Sequence, residues 1–412
     1  MNHHYTYRCS QCQRTFAADE IERNFVYLCP HCGSAERNAP LTGVLQIIYD
    51  YPAVASELFR DEFLRLPAGS PWRYPQLWPL AYDVHSKMPE GISPQLLNNF
   101  ALPAKTLLSF AWQGKPFRVM DETRNPTLSF KDRASILVVL KAMQMGITEI
   151  AAASTGNAGS SLAGICARAG LKARIWVPAA IPPAKLLQIQ AYGAIIHQVD
   201  GDYDLAFDQS LELSHQHHWY NRNTAYNPLT IEGKKSAAYD LFIQTEGDLP
   251  RTIFVPVGDG VIIAGLYKGL WELKELGWID ELPRLIAVQS TGSDALVRYL
   301  ASGRFTFQKA HTLADSISAG APRNLFLAAR AVKESHGTAL AVSDEEIIKA
   351  QHLLAREFGL LAEPAAAAAF AGFIRFGKDN GPDANENPLL LITGNGLKDA
   401  EGLKRIIEMG QI

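Results

Sequence analysis

Short apolar runs rich in β-branched residues alternate with helix-like patterns from about residue 117 to the end of the chain. The strand-like runs are EIAAAS (149–154), RIWVP (174–178), IIHQV (195–199), IFVPV (253–257), LIAVQ (285–289) and LLLIT (389–393). Helical periodicity lies between them, at 132–145, 158–170, 184–192, 231–246, 261–276 and 344–358. Strands and helices that alternate at this spacing build mainly parallel sheets, so the pattern predicts an α/β fold.

Four local patterns refine this prediction. Ser343, followed three residues later by Glu346, is typical of a helix-capping box. The alanine-rich stretch at 363–376 favours a buried helix, because alanine is the best helix former and packs closely. The cluster HQHH at 215–218 reads as an exposed helix end rather than a metal site, and 380–388 as a turn-rich connection.

The first forty residues differ from the rest, because they contain four of the five cysteines. These form two C-x2-C pairs, Cys9 with Cys12 and Cys29 with Cys32. Two such turns can complete the tetrahedral sulfur shell that Zn²⁺ prefers, which predicts a structural zinc ribbon. A ribbon that has lost its metal, a pair of disulfides, or His31 as a competing ligand are the alternatives.

Composition and charge are those of an ordinary globular protein. The 412 residues are 47% hydrophobic and 20% charged, with 39 basic and 42 acidic side chains and a net charge of −3. This balance is not typical of disordered chains, and it gives no basic footprint for nucleic acid. The N-terminus resembles no signal peptide, and no apolar stretch approaches the length of a membrane span. We expect a cytoplasmic protein that binds neither membrane nor nucleic acid.

Four Gly- or Ser-rich segments lie where a strand gives way to a loop or helix, the edge at which α/β sheets collect ligands. They are NPTLSFKDR (125–133), STGNAGSS (154–161), PVGDG (256–260) and TGNG (393–396). Backbone N–H groups and helix N-termini at such turns favour a phosphorylated cofactor and an anionic substrate. Lys131 precedes a helix, where positive potential disfavours protonation and leaves an amine able to form a Schiff base. The alternative is a surface lysine paired with Asp132.

With these segments in this order, the chain resembles the threonine synthases, pyridoxal-phosphate enzymes of fold type II, the tryptophan synthase beta-like superfamily. The resemblance covers roughly residues 70–410 and includes NRNTAYNPLTIEGKKS (221–236), LADSIS (313–318) and TGNGLKD (393–399). It implies two open α/β lobes with the cofactor between them. We expect the ribbon at 1–40, the larger lobe at 41–116 and 236–412, and the smaller lobe, which carries Lys131, at 117–235.

The resemblance also implies roles for individual residues. Lys131 forms the Schiff base and is catalytic, Asn157 bonds the cofactor's phenolic oxygen, and the Thr393 hydroxyl faces its pyridine nitrogen. The cofactor phosphate lies on the loop Gly258, Asp259, Gly260, Val261 and Ile262, where the Asp259 side chain must point away. Ser154, Thr155 and Gly156 are implied to line the substrate carboxylate. Further implied substrate contacts are Arg222, Asn223 and Thr224.

The implied reaction is that of a carbon–oxygen lyase acting on a phosphorylated small molecule: O-phospho-L-homoserine and water give L-threonine and phosphate. The family's pattern leads us to expect a phosphate-binding arginine in NTAYNPLTIEG, where Thr230 stands. Arg222, Lys234 and Lys235 are nearby candidates for that task. A homodimer is a further expectation.

Two alternatives remain open at this point. The first keeps the fold and cofactor but changes the reaction, as in a cysteate synthase acting on phosphoserine or a threonine deaminase. The second is a catalytically inactive zinc-ribbon protein that binds nucleic acid or a partner, with Arg8, Arg14, Arg23 and Arg37 in its ribbon. The mildly acidic chain argues against the second.

Overall fold

The computed structural model describes residues 3–154, 156–380 and 387–409, and the strands in this part of the chain form three sheets. In chain order they are β1 (Tyr5–Cys9), β2 (Thr15–Ala17), β3 (Leu45–Tyr49), β4 (Leu107–Trp112), β5 (Lys115–Asp121), β6 (Glu149–Ala153), β7 (Lys172–Pro178), β8 (Ile195–Val199), β9 (Tyr220–Asn221), β10 (Thr252–Pro256), β11 (Arg284–Ser290), β12 (Thr338–Val342) and β13 (Pro388–Ile392). Each of the six predicted strand runs coincides with one of these strands, to within a few residues at its ends.

Helices follow most of the strands, as the alternating pattern predicts. They are α1 (Ala18–Glu22), α2 (Tyr51–Glu57), α3 (Arg60–Phe63), α4 (Pro94–Asn99), α5 (Asp132–Gln144), α6 (Asn157–Ala169), α7 (Pro183–Ala191), α8 (Tyr203–His217), α9 (Leu229–Gln244), α10 (Val261–Glu275), α11 (Ala295–Ser302), α12 (Leu325–Glu334), α13 (Asp344–Phe358), α14 (Pro364–Asn380) and α15 (Ala400–Met409). The predicted α/β class is confirmed.

Two parallel sheets position the cleft. The smaller has the order β8-β7-β6-β9, with every pair parallel. The larger has the order β12-β11-β10-β13-β5-β4 and is parallel except where β4 pairs with β5. Because the carboxyl ends of parallel strands carry the loops that bind ligands, the segments that follow β6, β10 and β13 line one cleft between the sheets.

The sheets depart from the predicted lobe boundaries in three places. β5 pairs with β13 in the larger sheet, so the boundary predicted at 117 falls inside a strand of the larger lobe. α9 continues through the boundary predicted at 235, and packs on both α5 and α10. β3 extends the ribbon sheet beyond the limit predicted at 40. The departures at 117 and at 40 are long-range strand pairings, which local hydrophobic periodicity does not encode, whereas at 235 one continuous helix crosses the predicted boundary.

The ribbon is an antiparallel sheet of order β2-β1-β3, and it docks on the body of the same chain. Tyr49 donates from its hydroxyl to Glu232 at 2.7 Å, and Lys141 bonds Glu22 of the ribbon at 2.7 Å. Arg323 donates to the carbonyl oxygens of two ribbon residues at 3.1 and 3.0 Å. The sequence left this docking undecided, and the contacts make the ribbon part of the folded unit.

Several local predictions are confirmed. The Ser343 hydroxyl accepts from the N–H of Glu346 at 3.2 Å, and the Glu346 carboxylate accepts from the N–H of Ser343 at 2.8 Å. α14 buries its alanines, and the HQHH cluster is the exposed end of α8. Of the turn-rich segment, 381–386 lie outside the described residues. No helix in the described ranges is both long and apolar enough to cross a bilayer.

Candidate active site

Lys131 lies where a cleft of about 810 Å³ between the two sheets meets a narrow inner pocket of about 40 Å³. It is the N-cap residue of α5. The N–H of Phe130 donates to the carbonyl oxygen of Thr393 at 2.8 Å, and Ser129 forms an antiparallel bridge with Gly394. These two contacts fasten the loop before Lys131 to the end of β13, so the two segments predicted to share a site are joined by backbone bonds.

Asp132 does not pair with Lys131, contrary to the alternative of a surface ion pair. Its carboxylate accepts from the N–H of Thr127 at 2.7 Å and from the hydroxyl of Ser161 at 2.7 Å. These bonds hold the loop to α6. No carboxylate of the described residues forms an ion pair with Lys131, so its amine is left for the cleft.

The electrostatic setting of Lys131 favours a neutral amine. The pKa of Lys131 is lowered, chiefly because the surrounding protein separates the amine from bulk water. The positive charge of Arg222 lowers this pKa further, while the carboxylates of Asp259 and Glu363 oppose the shift. A lysine with a lowered pKa supplies the unprotonated amine that attacks a carbonyl.

A glycine turn closes the inner pocket at the N-terminus of α10. Gly260 has a φ of +84°, and a Cβ there would lie 2.7 Å from the Cβ of Ala328. A Cβ at Gly258 would lie 2.8 Å from the Cα of Ile317. Both positions require glycine, and both line the pocket together with Val261 and Ile262 of the first turn of α10. A tight turn at a helix N-terminus presents backbone N–H groups to an anion, as a phosphate requires.

The side chain of Asp259 is held by the segment before α12. Its carboxylate accepts from the N–H of Arg323 at 3.2 Å, and its carbonyl oxygen accepts from the N–H of Asn324 at 2.9 Å. The negative charge therefore has a backbone N–H partner in the segment before α12. The residue still borders the cleft, which explains its influence on Lys131.

Asn157 faces the pocket from the first turn of α6. Its amide Nδ2 donates to both carboxylate oxygens of Glu363, at 2.8 and 3.0 Å, and to the Ser316 hydroxyl at 3.1 Å. Its Oδ1 is buried without a partner among the described residues. The carboxylate fixes which amide atom faces it, because an ionised carboxylate only accepts hydrogen bonds. A ligand that donates a hydrogen bond to Oδ1, or that takes the place of Glu363 at Nδ2, would complete the hydrogen bonding of this amide.

These features fit the cofactor that the resemblance implies. The pocket brings together an amine at Lys131, an amide atom of Asn157 without a partner, a glycine turn suited to phosphate, and the side chain of Thr393. Among the described residues the Thr393 hydroxyl has no hydrogen-bond partner. An aldehyde, a phenolic oxygen, a phosphate and a ring nitrogen on one small molecule would each find a chemically matching group here.

The loop expected to hold the substrate carboxylate is partly self-bonded. The Ser154 hydroxyl accepts from the N–H groups of Gly156, at 3.0 Å, and Gly159, at 2.8 Å. Ser154 thus shapes the start of α6, and its oxygen is already engaged. Thr155, the third residue predicted here, lies outside the described residues.

The three predicted substrate contacts that follow β9 differ in accessibility. Thr224 borders the cleft and accepts from Nη1 of Arg222 at 2.9 Å. Arg222 is fully buried, and its Nε and Nη2 have no partner among the described residues. Asn223 is bonded internally, since its Oδ1 accepts from the N–H of Ala153 at 2.6 Å and its Nδ2 donates to Ser210 at 2.8 Å. Asn223 therefore stabilises the strand end and has no free amide group for a substrate.

Thr230 stands where the resemblance leads us to expect an arginine, and the lysines near it lie in two different environments. Thr230 is buried and self-bonded, with its hydroxyl donating to the carbonyl oxygen of Asn227 at 2.7 Å. Lys234, one helical turn later, donates to the carbonyl oxygen of Thr230 at 3.1 Å and forms no ion pair within the described ranges. Lys235 lies on another face of α9, where it pairs with Glu232 and with Glu272. Only Lys234 of this lysine pair is left without a counter-ion.

The four predicted metal ligands lie together. Their sulfur atoms all fall within 4.8 Å of one another, with 3.4 Å between Cys9 and Cys32 and 3.6 Å between Cys12 and Cys29. All four are free thiols, so the alternative of two disulfides does not hold. Zinc–sulfur bonds of about 2.3 Å in a tetrahedron put sulfur atoms roughly 3.8 Å apart, so the cluster suits that ion. His31 instead stacks on Phe16.

Sequence reasoning missed three residues that contact this site. Lys185 of α7 forms an ion pair with Asp315 at 2.5 Å, and Glu363 bonds Asn157 from the start of α14. The Ser316 hydroxyl oxygen accepts hydrogen bonds from both Lys185 and Asn157. The segments LADSIS and EPAAAA were noted for family likeness and helix propensity alone. Their contacts join residues more than a hundred positions apart, a separation that no local signal covers.

Comparison with known proteins identifies the relatives of this chain. Residues 106–394 match the profile of the family described as "Pyridoxal-phosphate dependent enzyme". The threonine synthase of Methanocaldococcus jannaschii is 33% identical over 407 residues, covering 97% of this chain and 95% of that protein. The threonine synthase of Methanosarcina acetivorans is 32% identical over 408 residues, covering 98% of this chain and 95% of that protein.

Solved structures share the fold. Maize serine racemase superimposes with a TM-score of 0.64 at 18% sequence identity, covering 74% of this chain and 93% of that chain. At this level of identity the likeness concerns the arrangement of the two lobes and leaves the substrate open.

Proposed function

This chain belongs to the threonine synthase family of pyridoxal-phosphate-dependent enzymes, and on that premise we propose that it converts O-phospho-L-homoserine and water to L-threonine and phosphate. One observation carries the proposal: Lys131, Asn157, the glycine turn at 258–260 and Thr393 surround a single pocket. The kinship with named threonine synthases, which spans the ribbon as well as both lobes, supports the choice of reaction.

The cofactor and Lys131 divide the chemistry. Lys131 would hold pyridoxal phosphate covalently, and once an amino acid has displaced the lysine, the cofactor would supply an electron sink for the Cα of that amino acid. The released Lys131 amine removes the Cα proton, and a Cβ proton is lost before the phosphate leaves Cγ. The amine then delivers a proton to Cγ and, after water has added its hydroxyl to Cβ, returns a proton to Cα; the second proton of the water goes to the released phosphate. Its lowered pKa keeps part of the amine unprotonated for this task. One tethered base serves every carbon because it remains within a few ångströms of each.

Thr393 steers the type of reaction. A hydroxyl opposite the pyridine nitrogen leaves the ring neutral, whereas a carboxylate would keep it protonated. A neutral ring suits elimination and replacement at Cβ and Cγ better than transamination. The bond between the Thr393 carbonyl oxygen and the N–H of Phe130 keeps this hydroxyl in register with Lys131.

Arg222 and Lys234 are the groups we assign to the substrate phosphate. Both are fully buried, neither has an ion-pair partner in the described part of the chain, and the charge of Arg222 lowers the pKa of Lys234. Buried cations without counter-ions are costly unless a ligand neutralises them. Lys234, one turn after Thr230, supplies the positive charge that the expected arginine would have brought, and Thr224 links Arg222 to the cleft.

The four cysteines bind a structural zinc ion in this proposal. Their spacing of 3.4 to 3.6 Å between paired sulfurs suits tetrahedral coordination, and four thiolates leave no ligand position for water. The metal would therefore stabilise the ribbon and take no part in the reaction at Lys131. Metal content of the purified protein, measured by elemental analysis, tests this assignment.

The decisive test of the function combines a spectrum with product analysis. The visible absorption of the purified protein is recorded before and after O-phospho-L-homoserine is added, and released phosphate and threonine are quantified in the same sample. We expect a cofactor band that shifts with substrate, and equal amounts of both products. A band that stays inert to this compound, with turnover of phosphoserine instead, would overturn the proposed substrate.

The same preparation tests the two alternative functions. Formation of a keto acid and ammonia from threonine would indicate a deaminase. A protein that binds no cofactor, even when cofactor is added, and that retains DNA in a salt-sensitive way would indicate an inactive binding protein. The buried position of the amine-bearing pocket and the complete family match favour neither.

A further inference from the structure

The loop 154–156, which the family resemblance assigns to the substrate α-carboxylate, contains no charged side chain of its own. Ser154 uses its hydroxyl to bond two backbone N–H groups of the same loop. What remains are backbone N–H groups at the start of α6, which attract an anion with only a partial charge. An amino acid that enters a partly buried cleft brings a full negative charge, which a cation from another element would stabilise further.

Lys185 lies directly against this loop. Its side chain is fully buried, and it runs across the face of Gly156 where a side chain would otherwise stand. A Cβ built on Gly156 would collide with Cδ of Lys185 and would lie 3.3 Å from its Nζ. Glycine at 156 thus allows the lysine amine to approach the carboxylate loop closely.

The partners of Lys185 come from the other lobe. Its Nζ bonds Asp315 at 2.5 Å and Ser316 at 3.0 Å, and lies 3.8 Å from a carboxylate oxygen of Glu363. Burial alone would lower the pKa of Lys185, but the charges of Glu363 and Asp315 raise it above its usual value. The amine therefore carries a positive charge beside the carboxylate loop, next to Asp315 and Ser316, which border the cleft.

Asp315 differs from Glu363 in a way that bears on function. The Asp315 side chain is 30% exposed and borders the cleft, whereas Glu363 is buried at 1% and is also bonded to Asn157. A carboxylate in contact with water can give up a lysine partner at small cost, because water replaces the lost bond. Asp315 is the exchangeable counter-ion of Lys185, and Glu363 is the fixed one.

We propose that Lys185 binds the α-carboxylate of the amino-acid substrate, and that Asp315 holds the lysine in place until the substrate enters. The proposal deepens the proposed function by naming the cation at the carboxylate subsite. It rests on that function only in requiring an α-amino acid as substrate. It would hold for any amino acid that reaches Lys131.

A purely structural role is the competing explanation, because the Lys185–Asp315 pair also joins the two lobes. The two roles differ in one measurable respect. A lobe clamp supports every ligand alike, whereas a carboxylate contact supports only ligands that possess a carboxylate. Pairs of ligands that differ solely by this group therefore distinguish the roles.

The experiment titrates the holoenzyme and follows the visible absorption of the cofactor as a measure of binding. One pair is O-phospho-L-homoserine and 3-aminopropyl phosphate, mixed rapidly with the enzyme. The other pair is L-norvaline and butylamine, which have no leaving group and no phosphate. We expect the wild type to bind each amino acid about tenfold or more tightly than its amine, as for a buried charge-assisted bond. Equal binding of amino acid and amine by the wild type would overturn the proposal.

Variants identify the responsible residue. Lys185→Met should bring the preference for the amino acids close to one while leaving amine binding unchanged, and Lys185→Arg should retain most of the preference. Lys141→Met is the matched control, because Lys141 is also a buried, ion-paired lysine, but it lies on α5 and pairs with Glu22 of the ribbon. This variant should keep the wild-type preference for the amino acids. Equal weakening of amino acids and amines in Lys185→Met would establish the lobe clamp instead.

The norvaline pair keeps this inference separate from the proposed reaction. If the norvaline preference depends on Lys185 while O-phospho-L-homoserine yields no threonine, the carboxylate subsite stands and the proposed substrate falls. If threonine forms but the preference does not depend on Lys185, the reaction stands and the subsite falls.

Discussion

Lys234 and Lys235 are adjacent on α9 and equally buried, yet their surroundings are opposite. Lys235 belongs to a closed network with Lys268, Glu232 and Glu272, in which each ammonium contacts both carboxylates. Tyr49 of the ribbon adds a hydrogen bond to Glu232. Lys234 points to the side of α9 where Lys131 and Arg222 add further positive charge, with no carboxylate in ion-pair distance among the described residues.

The difference teaches how to tell structural charges from ligand-binding ones. Two cations and two anions in mutual contact compensate one another, so the network of Lys235 stabilises the packing of α9 on α10 and on the ribbon. Lys131, Arg222 and Lys234 have no ion-pair partner among the described residues, so their charged forms are costly in the free protein and gain from anions that arrive with a ligand. A phosphorylated cofactor and a phosphorylated substrate would supply those anions.

Replacement of Lys131 should have the largest effect, because Lys131 is the reactive one among the three basic residues Lys131, Arg222 and Lys234. We expect Lys131→Ala to lower the turnover number by at least about 10⁴-fold, since nucleophile and base are lost together. Borohydride should no longer attach the cofactor to the protein. The thermal midpoint should not fall, because this amine forms no ion pair or hydrogen bond with any of the residues that the structure describes. Retention of turnover by a folded, cofactor-free variant would contradict the assignment.

Replacement of Lys235 should break the paired network. Lys235→Met leaves Glu232 and Glu272 with Lys268 as their only neighbouring lysine in the network. Loss of one partner from a buried ion pair costs about 3–5 kcal/mol, and denaturant unfolding measures this loss. The Michaelis constant of the folded fraction for O-phospho-L-homoserine should remain unchanged.

Lys234→Met is the matched control for that variant, since it makes the same change one residue earlier. It removes an amine that has one backbone hydrogen bond and no ion-pair partner among the described residues, so we expect a much smaller loss of unfolding free energy than in Lys235→Met. A similar loss in both variants would mean that the two lysines do not differ in the way their contacts indicate.

Disruption of the metal cluster should loosen the paired network from the ribbon side. Cys29→Ser removes one of the four sulfurs, and β3, which carries Tyr49, belongs to the same ribbon. We expect zinc content to fall and unfolding free energy to drop by several kcal/mol, since metal binding and folding of such a segment are coupled. The cofactor spectrum of the folded fraction should be unaltered. An equally stable but inactive variant would contradict a structural role for the metal.

Local patterns predicted the fold well and the lobe boundaries poorly. The capping box at Ser343 and the strand runs depend on neighbours in sequence, and the structure confirms them. The boundary at 117 failed because β5 pairs with a strand more than 250 residues later. No local feature of β5 specifies which sheet will receive it.

The site shows the same division. The motifs containing Lys131, Asn157 and Thr393 lie around one pocket, as the resemblance leads one to expect. Asn223 could not be separated from its neighbours by motif, because its side chain bonds depend on how β9 meets β6. Lys185 offered no signal, since an isolated lysine after two prolines is common on helix surfaces. The pair Lys234 and Lys235 reads as one charge run until the faces of α9 are known.

Replacement of Lys234 should also have a moderate effect on substrate binding. If this amine contacts the substrate phosphate, Lys234→Met should raise the Michaelis constant for O-phospho-L-homoserine about tenfold, as for loss of one charge-assisted bond. The affinity for L-norvaline, which has no phosphate, should change little. Steady-state kinetics and spectral titration provide the two numbers. A rise confined to cofactor dissociation would assign Lys234 to the cofactor phosphate instead.

The smallest effect should be the uptake of a proton when the phosphorylated substrate binds. Burial, with the charges of Lys131 and Arg222, holds the pKa of Lys234 well below its usual value in the free protein. An anion placed beside the amine raises that pKa, so between the free and bound values the complex holds more protons than its components. By linkage the affinity must then fall as pH rises through that window, by at most tenfold per pH unit for one proton. Calorimetry in buffers of different ionisation enthalpy measures the uptake, and Lys234→Met should reduce it to the part due to the phosphate itself. Unchanged uptake in the variant would show that this amine already carries its proton in the free protein, and the contrast with Lys235 would then rest on ion pairing alone.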